Sequence, residues 1–135
     1  VGVNNREKKA MLGSTLTITL DGSGGTAKVL PLINQDGYSS EYFLDDSTVW
    51  YRAKVRHSKD SVKAGTQAFD RHTVTFQRYL KPTEAAPLGR LTEVITTIRN
   101  DPSEVAADVI DVSEAMSFYM VKAGGIAAKL LGWES

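Results

Sequence analysis

Two stretches of strict alternation dominate the chain, residues 48–57 (TVWYRAKVRH) and 71–80 (RHTVTFQRYL). Successive side chains on a β-strand point to opposite faces, so each stretch predicts a strand with two chemically different sides. In the first, Trp50, Arg52, Lys54 and Arg56 share one side, while Tyr51, Ala53, Val55 and His57 share the other. In the second, Arg71, Thr73, Thr75, Gln77 and Tyr79 oppose His72, Val74, Phe76, Arg78 and Leu80. Paired antiparallel, the two strands make a sheet with one basic, hydroxyl-rich face and one largely apolar face. The apolar face requires a cover.

The flanking segments extend this pattern in both directions. Thr15–Leu20 alternates strictly, Asp21–Gly25 is a turn, and Thr26–Leu30 is the return strand of a hairpin. The glycine cluster of that turn is no phosphate loop, because the residues after it are β-branched rather than helical and the lysine–hydroxyl signature is missing. Asn34–Gly37 predicts a second turn, Ser39–Leu44 a short strand, and Asp45–Ser47 a turn into the central strand. Residues 58–69 and 81–89 read as loops, and Arg90–Arg99 as a last, β-branched strand.

The period then changes from two to helical. Asp101-Pro-Ser-Glu104 is a start signal, with Asp108 and Asp111 available for a later start. Val105, Val109, Val112, Met116 and Tyr119 recur at helical spacing, and Gly124-Gly125 ends the helix. Residues 126–131 form a second, short helix closed by Gly132 and Trp133. The plan is α+β: an antiparallel sheet, made of an N-terminal hairpin plus about five strands, followed by two C-terminal helices. Residues 1–13 read as a flexible arm and 14–135 as one domain.

The chain has 135 residues, 41% hydrophobic and 24% charged, which is the composition of an ordinary globular domain. It has no cysteine, which excludes disulfides and thiolate metal sites. No apolar run approaches the ~18 residues of a membrane span, so no membrane partner is expected. The polar stretch 1–10 lacks the apolar core of a signal peptide.

Formal net charge is zero, but its distribution is uneven. Residues 48–81 carry eight Lys or Arg against two Asp, whereas residues 82–135 carry four against eight acids. Clustering of this kind sets the local field more than the total does. Arg52, Lys54 and Arg56 stand at intervals of roughly 6–7 Å on one face, close to the phosphate spacing of an RNA strand. Trp50 beside them is suited to stack an unpaired base or to be buried at a dimer seam. Thr73, Thr75 and Gln77 are hydrogen-bonding groups for phosphates or base edges, or plain β-formers on a wet face.

Other clusters are weaker. His57 and His72 fall on the apolar side with Asp70 nearby, yet no nucleophile or third metal ligand accompanies them, so they read as core histidines satisfied by hydrogen bonds. Asp45 and Asp46, with Glu41, are weak candidates for calcium at a subunit interface; a solvated turn is the better reading, and no cofactor is required. The stripe of Val109, Val112, Met116 and Tyr119, with Trp133, offers more apolar surface than one thin sheet can cover. A symmetric dimer without a stable monomer is the expected answer.

Several segments, in order, resemble the coat proteins of single-stranded RNA bacteriophages (leviviruses), closest to the Caulobacter-infecting branch. They are Thr15–Leu20, Gly22–Leu30, Ile33–Tyr38, Arg52–His57, Glu114–Tyr119 and Gly132–Ser135. The resemblance implies an interlocked dimer that builds a T=3-type icosahedral shell around the genome. It also implies a virion protein made in the bacterial host cytoplasm, with no enzymatic activity. In that family the sheet face away from the helices binds RNA, including a hairpin through which translation is repressed. The corresponding positions here are Trp50, Arg52, Lys54, Arg56, Arg71, Thr73, Thr75 and Gln77. A small dimeric RNA-binding regulator that builds no shell is the alternative; a hydrolase using His57, His72 and Asp70 is a further rival.

Overall fold

The computed structural model describes residues 13–22, 24–60, 63–121 and 125–135. The predicted arm, apart from Gly13, lies outside the described residues, as does Gly124. Six strands come first: β1 (Thr15–Leu20), β2 (Thr26–Asp36), β3 (Ser39–Asp46), β4 (Val49–Lys59), β5 (Asp70–Leu80) and β6 (Arg90–Asn100). Two helices come after them, α1 (Ala106–Tyr119) and α2 (Ile126–Leu131). The sheet order is the chain order, and every strand is antiparallel to its neighbour.

Two expected turns are tighter than their composition suggests. Asn34, Gln35 and Asp36 stay in β2 and pair with Glu41, Ser40 and Ser39, leaving Gly37 and Tyr38 to reverse the chain. Asp45 and Asp46 likewise stay in β3, opposite Trp50 and Val49. Lysines hold both carboxylates in place: Lys81 Nζ lies 2.7 Å from Asp45 and Lys28 Nζ 2.6 Å from Asp46. The reversal then falls on Ser47, at φ 63°. In the first hairpin Gly25 is obligatory, because a Cβ there would stand 1.8 Å from the Leu20 carbonyl oxygen.

The core lies on the apolar face at the β1–β4 end. Ile18, Leu30, Tyr42, Tyr51 and Ala53 form one buried cluster, fringed by Leu16, Leu20, Leu32, Leu44 and Val49. The ladder of β2 slips between Leu32 and Asn34, and β2 reaches past β3 to touch β4. The bulge therefore bends the β1–β2 hairpin over the sheet as a roof. Tyr42 is fully buried, and its hydroxyl donates to the Gly13 carbonyl at 2.9 Å.

The other end of the same face is open. Phe76 and Val94 remain exposed there, and neither helix packs extensively on the sheet of its own chain. Among the described residues of α1 and α2 none is buried. Val112, Met116, Tyr119 and Trp133 are exposed, Trp133 by 95%. The apolar stripe is thus correctly helical, but it is not core within a single chain. β6 is an edge strand, and the turn after it leads into α1 without laying the helix extensively on the sheet.

That turn also differs from the expected cap. The Asp101 carboxylate accepts from the Ser103 hydroxyl (2.7 Å) and amide (2.9 Å), which hold its pKa below the usual range. The helix itself starts later, at Ala106, with an extended Val105 before it and no side-chain cap. Asp108 lies in the first turn, where a negative charge favours the helix dipole.

Candidate nucleic-acid interface

Register converts the basic face of β3–β6 into a grid of cross-strand rows. Asp45, Trp50, Tyr79 and Leu91 make the row at the aromatic end, and Phe43, Arg52, Gln77 and Glu93 the next. Beyond these lie Glu41, Lys54, Thr75 and Ile95, then Ser39, Arg56, Thr73 and Thr97, and finally Ser58, Arg71 and Arg99. All eight residues expected from alternation lie on this one face, away from the hairpin roof. The face is graded, aromatic at one end and cationic at the other.

At the aromatic end Trp50 stacks on Tyr79, with ring centroids 5.0 Å apart and planes 25° apart. Phe43 tilts against Trp50 at 5.7 Å. The Arg52 guanidinium lies over both Phe43 and Trp50, at 5.3 and 5.1 Å from their ring centres. Its Nε sits 3.1 Å from a Glu41 carboxylate oxygen, at an angle that makes no hydrogen bond. Arg52 therefore braces the aromatic row more than it offers charge to a ligand. Tyr79 is in turn pressed by the loop before β6, where a Cβ on Gly89 would meet the Tyr79 hydroxyl at 1.9 Å.

The cationic end is more available. Lys54 and Arg56 form no ion pair among the described residues. Arg71 and Arg99 share Asp60, at 3.3 and 2.9 Å, and Arg99 also lies 3.7 Å from the centre of the Phe69 ring. The Arg99 hydrogen bond, with the charge of Arg71 a smaller influence, holds the Asp60 carboxyl below its usual pKa. Thr73 hydrogen-bonds Thr97 at 3.2 Å, and the Gln77 amide donates to Glu93. Lys54, Arg56, Arg71, Thr73 and Tyr38 contribute to a shallow depression of about 730 Å³.

Phe43, Arg99 and Asp60 are additions that alternation in β4 and β5 alone does not reveal. Phe43 and Arg99 sit on the flanking strands, and only their register brings them beside Trp50 and Arg71.

On the apolar face His57 and His72 meet as expected, with Nδ1 atoms 2.8 Å apart, one donating and one accepting. Neither is buried, which differs from the expected core position: the hairpin roof ends before this part of β4 and β5. Asp70 is turned to Lys59, 3.4 Å away. Among the described residues no group of three or more His, Cys, Asp or Glu is placed to hold a metal ion. Asp45 and Asp46 point to opposite faces, each bound to a lysine, and Glu41 faces Arg52.

A bent hairpin on an antiparallel meander, continued by two helices that leave the sheet, is a fold with known examples. The Bacteriophage EMS014 coat protein matches with a TM-score of 0.60 at 16% identity, over 80% of this chain and 72% of that chain. The fold is that of a bacteriophage coat protein. Residues 13–101, which take in all six strands, match the family described as "Phage phiCb5, coat protein". This chain belongs to that coat-protein family, as its sequence resemblance implied; it is a structural component of a virion and not an enzyme. A search of curated proteins finds no match. No helix among the described residues is long and apolar enough to cross a membrane.

Proposed function

We propose that this coat protein dimerises, assembles into an icosahedral shell, and holds single-stranded RNA against the graded basic face. The observation that carries the reading is the segregation of the two faces. One presents Lys54, Arg56, Arg71 and a stacked Trp50–Tyr79 pair; the other leaves apolar strands uncovered beside two apolar, uncovered helices. Phosphates suit the cations and unpaired bases suit the aromatic row. A second copy suits the rest, since its helices would cover Phe76 and Val94 and its β6 would satisfy the open edge of this one. Binding of an RNA hairpin on the same face would let the dimer repress translation before assembly.

Electron microscopy of purified protein, combined with its ultraviolet absorbance ratio, tests the reading. Closed particles rich in nucleic acid are expected; small dimers without shells would favour a regulatory RNA-binding protein instead. Lys54→Ala with Arg56→Ala should leave dimers folded and lower the packaged RNA. The slope of log affinity against log salt should fall by about 1.4, for two lost phosphate contacts to a single strand. Unchanged RNA content in that variant would refute the assignment of the face.

A further inference from the structure

Glu93 is out of place on a face for phosphates. It sits in the second row, between Leu91 and Ile95 along β6, and its carboxylate accepts from the Gln77 amide. Among the described residues it has no cationic partner, and Arg52, the cation of its row, is turned to Glu41. It also lines the depression shared with Lys54, Arg56 and Arg71.

A carboxylate repels phosphate oxygens and accepts hydrogen bonds only. On single-stranded RNA its partners are therefore base N–H groups and ribose hydroxyls. The four bases differ sharply in what they offer. Guanine presents N1–H and N2–H side by side, two parallel donors for the two oxygens of one carboxylate. Adenine and cytosine offer one amino group beside an acceptor nitrogen. Uracil offers one N–H flanked by two carbonyls, which a carboxylate repels.

The neighbouring rows supply the remaining contacts for such a base. Trp50 and Tyr79, two positions along their strands, provide a stacking surface, and Lys54, two positions the other way, provides a phosphate contact. Each step is roughly 6–7 Å, about one nucleotide. Building on the RNA-binding reading above, we propose that Glu93, oriented by Gln77, selects guanine in single-stranded RNA by binding its Watson–Crick edge. Glu93 is a specificity residue, and Gln77 is its positioning residue.

The test uses fluorescence anisotropy of purified protein with labelled oligouridines carrying one central G, A or C, or none. The G-containing oligonucleotide should bind about tenfold more tightly than the others, the discrimination expected of a bidentate base contact. Glu93→Gln and Glu93→Ala should each bring that preference within about twofold while binding oligouridine as well as or better than the parent. Far-UV circular dichroism checks that both variants keep the fold. A parent protein indifferent to G, or a Glu93→Gln variant that keeps the preference, overturns the proposal while leaving the RNA-binding reading intact. Failure to bind any of the oligonucleotides overturns both.

Discussion

The two ends of the apolar face are built from the same strands and finished in opposite ways. At the β1–β4 end the chain covers itself: the hairpin bends at the Leu32–Asn34 slip and buries Leu30 and Tyr42 completely. At the β5–β6 end neither helix packs extensively on the sheet, and Phe76, Val94 and most of the helical stripe stay exposed. The first end gives the subunit a core of its own; the second is the end that the proposed dimer would finish.

The most severe test of this contrast is to place charge in the open half. Val112→Asp with Met116→Glu should abolish particles and dimers, read by electron microscopy and size-exclusion chromatography, because both positions lie on the stripe assigned to the partner. If shells persist, the stripe is not an interface. Damage to the closed half should weaken the core of the subunit itself. Leu30→Ala removes a fully buried side chain under the roof and should cost about 2–5 kcal/mol, seen as a lower urea midpoint. A near-neutral result would show that the hairpin is not the core it looks to be.

The smallest effect should come from Asp60, which lies in neither half and ties Arg71 to Arg99 at the rim. Its folded pKa is depressed, so its contribution is present above the ordinary carboxylate range and is lost as pH falls through the lowered value. Melting curves of the parent and Asp60→Asn should differ slightly at pH 6 and draw together as pH falls below the ordinary carboxylate range of about 4. A difference that grows on acidification would contradict the pairing.

Much of this architecture is legible in the residue pattern, for identifiable reasons. Period-two alternation in β4 and β5 is strong because each side chain choice agrees with its neighbour two places on; the Arg52–Gln77, Lys54–Thr75 and Arg56–Thr73 pairs result from it. Helical period and a glycine stop place α2 at its observed bounds. What the pattern does not carry is tertiary. The bend of the hairpin depends on a single ladder slip. The role of Arg52 depends on Glu41, which is in register with Lys54 yet leans toward Arg52. The helical stripe announces that it will be buried, and says nothing of which molecule buries it.

That last point is the claim on which the whole account rests, and the concentration dependence of unfolding tests it most directly. Urea denaturation monitored at several protein concentrations should give a midpoint that rises with concentration, with sedimentation showing no folded species smaller than a dimer. A concentration-independent midpoint, with a folded monomer in the ultracentrifuge, would contradict it.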